Sequence, residues 1–300
     1  MSIFYKISAP AKLNLNLLVK DKLSEGLHFI ESDICFLELI DEVYIKFSND
    51  DTFYQNKNNS FVIDPKKNLI LDALNKFRSH TNWDRKFDIY LDKNIPIGAG
   101  LGGGSADAAA TLVLLRKLFN KENNYNKMPI SRLFQIGNEL GSDVPSCIMS
   151  KDLRLSGYGK EIKRKKFPDN YYFILIYPNF ELSTKSVFRR YSNIQDFSQK
   201  SKIFLFENIK IYNSLLFSAK SLAPKIKNVL ENLKKIPNIV AYGMTGSGST
   251  CFGIVKSLND IPNLNKIFNN KYFIWFGKKA DYKLYRVCCS KVLENKFQIM

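Results

Sequence analysis

Pro96-Ile-Gly-Ala-Gly-Leu-Gly-Gly-Gly-Ser-Ala-Asp-Ala108 places five glycines, Gly98, Gly100, Gly102, Gly103 and Gly104, within seven residues. Glycine takes positive φ without steric cost and lets a backbone approach a ligand closely, so a cluster of this density predicts a loop built around an anion. Downstream, Ala108, Leu112, Leu115 and Phe119 recur at helical spacing, and Ser105 suits the N-cap of that helix. Upstream, Lys86 to Leu91 alternates polar and apolar residues in the manner of a half-buried strand. Strand, glycine loop and helix therefore follow in order, and the unpaired N–H groups of the helix start point at whatever the loop holds. The spacing lacks the Lys of G-x-x-x-x-G-K-[ST] and departs from the dinucleotide fingerprint, so a different phosphate-binding design is indicated.

Composition sets the frame for this loop. Three hundred residues with 45% hydrophobic content can build one large domain or two ordinary ones around substantial cores. The formal charge of +17 favours anionic partners, yet the lysines are spread along the chain, and the densest run, Lys160 to Lys166, reads as a solvated face. Five cysteines, Cys35, Cys147, Cys251, Cys288 and Cys289, lack metal-type spacing and fit a reducing cytoplasm. With only His28 and His80 present, a histidine-based metal centre is not expected. Met1 to Val19 lacks the uninterrupted apolar stretch of a signal peptide, and no apolar run reaches membrane-spanning length, so a soluble, cytoplasmic protein is expected.

Periodicity predicts strands over Met1 to about Val19, Ile34 to Phe47, Tyr171 to Tyr177 and within Asn238 to Val255. It predicts helices over Leu69 to Phe77, Ile130 to Leu140, Ile203 to Leu216 and Pro224 to Leu233. The mixture indicates an α/β (α+β) protein with a boundary near residue 155, dividing the chain into 1–155 and 156–300.

Three further segments carry chemistry. After Pro10 the residues alternate strictly, so Leu13, Leu15 and Leu17 share one face and Lys12, Asn14 and Asn16 the other. Exposure on an edge strand explains that polar face as well as a binding site does. In Gly141-Ser-Asp-Val-Pro145, Asp143 either caps a turn or faces a cleft. In Gly243-Met-Thr-Gly-Ser-Gly248, the glycines either line a ligand or make a turn. A phosphoryl-transfer site needs a carboxylate, a cation and a phosphate cradle, and the chain offers one compact candidate for each.

Taken in order, Ala-Lys-Leu-Asn-Leu, the glycine run, Gly-Ser-Asp-Val-Pro and Met-Thr-Gly-Ser-Gly resemble the motifs of the GHMP kinase superfamily. Glu-Gly-Leu-His28 narrows the resemblance to its kinases of cytidine-diphosphate-linked methylerythritol, which have Asp-Gly-Tyr-His there. The resemblance implies the GHMP kinase fold: an N-terminal domain like domain 2 of ribosomal protein S5, a C-terminal α+β domain, and an active site in the cleft between them. It implies ATP as phosphoryl donor, and transfer to the 2-hydroxyl of a small-molecule substrate, the cytidine-diphosphate-linked methylerythritol of the non-mevalonate route to isoprenoid precursors. By the same resemblance, Asp143 and Lys12 fall on catalytic positions. Pro96, Ile97, Gly98, Ala99, Gly100, Leu101, Gly102, Gly103, Gly104, Ser105 and Ala106 fall on the ATP-phosphate loop. Asn14 and His28 fall on substrate-side positions. Leu27 replaces the tyrosine that stacks on cytosine in the family, and Phe188 stands at about the distance at which a second stacking face is expected. Mg(2+) is expected to accompany ATP, held mainly by phosphates and water, with Ser105 the nominated side chain. Kinases of the mevalonate or homoserine type are the alternatives. A basic nucleic-acid-binding protein would need a contiguous basic stripe, so neither nucleic acid nor membrane is expected as a partner, and oligomeric state stays open.

Overall fold

Two strands near the N-terminus set the architecture. β1 (Ile3–Asn14) and β3 (His28–Ser48), joined through β2 (Leu18–Lys22), pair antiparallel, with Lys12 opposite Phe36 and Asn14 opposite Ile34. In the computed structural model, which describes residues 3–22, 28–56, 61–157, 159, 161–192, 204–268, 270–281, 288–291 and 297–299, their register shifts between Pro10 and Ala11. The shift exchanges the faces. Ile7 and Ala9 pack into one core, whereas Ala11, Leu13 and Leu15 pack into another. Proline offers no ladder N–H, and a bulge is where a sheet tolerates it. The sheet continues through β4 (Thr52–Asn56), helix α1 (Leu69–Thr81) and β5 (Lys86–Asp92), with β4 and β5 parallel and β5 between β3 and β4.

β5 corrects the half-buried expectation: Phe87 to Leu91 are all buried, because Phe87, Ile89 and Leu91 face the helices while Tyr90 packs with Phe4 and Tyr44. Asp88 is compatible with this position because Lys46 lies 3.3 Å away.

Helix α2 (Gly103–Glu122), α3 (Ile130–Leu140) and α4 (Val144–Met149) cover one face with α1, enclosing a core that includes Phe77, Leu112, Leu115, Leu133 and Ile136. The expected cap is corrected: the N-cap of α2 is Gly102, in the left-handed region at φ 65° with no side-chain cap, and Ser105 lies inside the first turn. Three glycines of the run, Gly98, Gly100 and Gly102, use positive φ; Gly103 and Gly104 are helical.

β6 (Leu153–Ser156) pairs with β3 and with β7 (Glu161–Arg164). Glu161, Lys163 and Arg164 are exposed, as expected for the basic run, while Lys160 lies outside the described residues. β8 (Tyr172–Tyr177) then opens a second sheet, and α5 (Thr184–Ser192) follows it. The helix expected over 203–216 is corrected: Ile203 lies outside the described residues, and the chain after it forms the hairpin β9 (Phe204–Phe206) and β10 (Ile209–Ile211), turning through Glu207 at φ 52°. Ile209 and Ile211 are buried and Lys210 exposed, a period of two rather than 3.6. Next come α6 (Leu216–Leu222), α7 (Lys225–Lys234), β11 (Ala241–Met244), β12 (Cys251–Val255), α8 (Leu264–Ile267) and β13 (Phe273–Gly277). The second sheet runs β11-β12-β8-β13.

β8 is apolar throughout because both its faces are covered. Phe173, Leu175 and Tyr177 pack with Leu13 and Leu37, and Ile174 and Ile176 pack with Ile226 and Val229 of α7. β14 (Cys288–Lys291) and β15 (Phe297–Ile299) return to the first sheet, pairing with β1 and β4. Among the described residues no helix is long and apolar enough to cross a membrane.

Candidate functional site

Beyond the bulge at Pro10, strand alternation sets Lys12 and Asn14 on the opposite face from Leu13 and Leu15, and both polar side chains are buried, each at 5% exposure. An exposed edge therefore does not account for the polar alternation. The other edge of β1 is covered by the two glycine segments: Lys12 N–H donates to Leu101 O at 2.8 Å, and Asn14 N–H to Thr245 Oγ1 at 2.9 Å.

Lys12 runs past the glycine loop to Asp143. A Cβ at Gly102 would lie 3.2 Å from both Cβ and Cε of Lys12, so the glycine there leaves room for the lysine stem. Lys12 Nζ donates to Asp143 Oδ2 at 2.8 Å. A buried ammonium without a partner costs several kcal/mol, and this carboxylate supplies the partner. Asp143 occupies the N-cap position of α4 but makes no side-chain cap bond. Its backbone carbonyl carries the local structure instead, accepting from Cys147 N–H at 3.1 Å and Ser146 Oγ at 2.7 Å. The side chain, about one-third exposed, is thereby left to Lys12 and the solvent.

The two glycine segments lie against each other. Thr250 Oγ1 donates to Ala99 O at 2.7 Å, and a Cβ at Gly246 would lie 3.7 Å from Gly100 O. Asn213 Nδ2 donates to Met244 O and Gly246 O, both at 2.8 Å, fixing the second segment from below. A Cβ at Gly100, where φ is 76°, would stand 2.4 Å from Gly248 O. Gly100→Ala is therefore expected to destabilise the fold by about 2–5 kcal/mol. Thermal melting checks this; a parent-like melting temperature would contradict the packing of the two segments.

A polar network continues behind Asn14. Asn14 Nδ2 donates to Ser32 Oγ at 2.7 Å, while Asn14 Oδ1 is buried without a partner among the described residues. Asn16 Nδ2 donates to Asp33 Oδ2 at 3.0 Å, and Arg154 grips Asp33 through Nε at 2.8 Å and an Nη at 2.9 Å. Burial works to raise the Asp33 carboxyl, but the hydrogen bonds from Arg154, Lys165 and Asn16 outweigh it and hold it below the usual carboxylate range.

His28 starts β3, and its ring centroid lies 4.9 Å from that of Phe188 on α5, with Tyr191 edge-on at 6.4 Å. α5 is anchored beside the second glycine segment, where Thr184 and Ser247 hydroxyls meet at 2.8 Å. Leu27 lies outside the described residues. The structure thus brings Lys12, Asp143, Asn14, the loop Pro96–Ala106 and Gly246 together, and separately pairs His28 with Phe188. Sequence reading missed Thr245, Thr250 and Asn213, which brace the site. Their signal was weak, since only the two threonines flank the second glycine turn.

Comparison with known proteins gives the family. The profile of the GHMP kinases N terminal domain matches residues 68–151, and that of the GHMP kinases C terminal region matches residues 203–273. The chain is 34% identical over 282 residues to the 4-diphosphocytidyl-2-C-methyl-D-erythritol kinase of Ehrlichia canis (strain Jake), covering 89% of this chain and 94% of that one. It is 32% identical over 245 residues to the protein of that name from Ruthia magnifica subsp. Calyptogena magnifica, covering 81% and 84%. A crystal structure of 4-(cytidine 5'-diphospho)-2C-methyl-D-erythritol kinase superposes with a TM-score of 0.75 at 24% identity, over 92% of this chain and 99% of that one. A homoserine kinase from Cytophaga hutchinsonii shares the fold at a TM-score of 0.63 and 18% identity, over 100% and 98% of the two chains. The chain belongs to the GHMP kinases and, among them, to the family of the 4-diphosphocytidyl-2-C-methyl-D-erythritol kinases.

Proposed function

We propose that the protein transfers the γ-phosphoryl group of ATP to the 2-hydroxyl of 4-diphosphocytidyl-2-C-methyl-D-erythritol. The observation that carries this reading is the 2.8 Å pair of Lys12 and Asp143 beside the glycine loop at the start of α2. The N–H groups at that helix start and along the loop face the ATP phosphates and offset their charge. Asp143 accepts the proton of the substrate hydroxyl, the hydroxyl oxygen bonds to the γ-phosphorus, and the bond from phosphorus to the β–γ bridging oxygen breaks as ADP leaves. Lys12 orients the Asp143 carboxylate and offsets the negative charge that develops on the attacking oxygen. Asn14 Oδ1, buried and unpartnered among the described residues, accepts a hydrogen bond from the substrate. His28 and Phe188 hold the cytidine end.

Mg(2+) fits this donor set as an ion that arrives with ATP. Among the described residues no group of three or more His, Cys, Asp or Glu could hold a metal, and the Ser105 hydroxyl in the first turn of α2 is the side chain that would complete a phosphate-bound ion. When bound, it neutralises phosphate charge. The same reading divides the chain at residues 1–155 and 156–300, with β14 and β15 crossing back, and places the protein in the cytoplasm.

A coupled ADP-release assay offering the cytidylyl substrate, mevalonate and homoserine in parallel tests the assignment. Turnover of the first alone is expected; turnover of either other alcohol alone would replace it. Leu27 supplies a further test, because leucine offers a base apolar surface but no π face. Leu27→Tyr is expected to lower KM for the cytidylyl substrate by about threefold to tenfold. An unchanged KM would contradict a cytosine contact at this position.

A further inference from the structure

Three ionisable side chains lie beneath the first turn of α2, and the phosphoryl-transfer scheme leaves them unused. Lys93 follows β5, Asp41 belongs to β3 and Asp107 to α2, with side-chain exposures of 2%, 0% and 1%. Lys93 Nζ donates to Asp41 Oδ2 and, at 3.0 Å, to Asp107 Oδ2. Asp41 is further held by the Asn94 and Ile95 N–H groups, which donate to its Oδ1 at 2.5 and 2.8 Å. Asp107 Oδ1 has no partner among the described residues.

The cluster is directional. A Cβ at Gly103 would lie 2.9 Å from Lys93 Nζ, so the ammonium sits against the opening residue of α2, while Asp41 is tied to the backbone at 94–95. Burial, and next the Asp41 charge, push the Asp107 carboxyl well above its usual range. Burial works against the Lys93 charge, but Asp107 and Asp41 more than compensate and hold its pKa above the ordinary lysine value. The Lys93 ammonium thus lies between the Asp41 and Asp107 carboxyls and against the opening residue of α2.

We propose that Lys93 is a positioning residue of the phosphate loop: its buried ammonium, held by Asp41 and Asp107, fixes the turn at Gly102–Gly103 where the ATP phosphates bind. This rests on the reading of the loop given above. Replacing a buried ion pair by neutral groups of similar volume is often tolerated, whereas removing one partner alone strands a charge. The test therefore uses the double variant Lys93→Met/Asp41→Asn, with Lys93→Gln, which keeps a donor for Asp41, as the second variant.

Binding of adenylyl imidodiphosphate is measured by calorimetry alongside thermal melting, kcat and both KM values. In both variants, analogue binding is expected to weaken and KM for ATP to rise by about tenfold, with kcat and KM for the alcohol substrate within about twofold of the parent. A purely structural role would move melting temperature and kcat instead. Either variant melting near the parent temperature and binding the analogue equally well would overturn the inference. A parent that binds no analogue would overturn the reading of the loop itself.

Discussion

Asp143→Asn is expected to lower kcat by about 10²–10⁴-fold while leaving KM for ATP and for the alcohol within about threefold. The amide has the shape of the carboxylate and can still meet Lys12, so the cleft geometry survives. What disappears is the group that takes the hydroxyl proton. The split between kcat and KM is the informative quantity, because an interaction made mainly in the transition state lowers turnover without weakening ground-state binding. Asp143 makes no cap bond to α4, and Val144, Pro145 and Cys147 anchor that helix in the core, so the fold is expected to survive, with a lowered melting temperature because the buried Lys12 ammonium loses its counter-charge. A variant retaining near-parent turnover would remove Asp143 from the chemistry.

Lys12→Met is expected to reduce kcat by about 10²–10³-fold. Methionine retains the apolar stem that runs past Gly102, so the loss isolates the ammonium from the packing. Asp143 is about one-third exposed and remains accessible to water when its partner is gone, which limits the stability cost. Lys12 and Asp143 act as one unit in this scheme. The double variant Lys12→Met/Asp143→Asn is therefore expected to be little worse than the more damaged single variant. Multiplicative losses, measured in the same assay, would show instead that the two side chains act independently.

Much of the fold was legible because burial imposes local periodicity. Tyr171 to Tyr177 reads as a strand from its unbroken apolar run, and the structure places that run between two cores. Ile130 to Leu140 coincides with α3 because Leu133 and Ile136 recur on one face and Gly141 ends it. The glycine run marks the strand–loop–helix unit, although its cap is Gly102 rather than Ser105: the left-handed turn occupies the N-cap position. The stretch 203–216 misled because its apolar residues suit either period, and the turn at Glu207 decides for a hairpin.

The candidate site was legible as separate pieces, since Lys12, Asp143 and the glycine run each carry a local signature. Their convergence was not, because the bulge at Pro10 decides which face Lys12 occupies. Lys93, Asp41 and Asp107 had no local signature at all. They lie in three separate elements, and only the tertiary fold makes them neighbours.

The central claim, that Asp143 and Lys12 activate the 2-hydroxyl for transfer at the glycine loop, is tested most directly by phosphorus NMR of the product made from ATP and 4-diphosphocytidyl-2-C-methyl-D-erythritol. The carbon bearing the 2-hydroxyl also bears the methyl group and has no hydrogen. A phosphate monoester formed there is expected to appear as a singlet without three-bond proton coupling, together with ADP, and to vanish with Asp143→Asn. A proton-coupled doublet or triplet would place the phosphate on a different hydroxyl, and an undiminished singlet from the variant would contradict the role of Asp143.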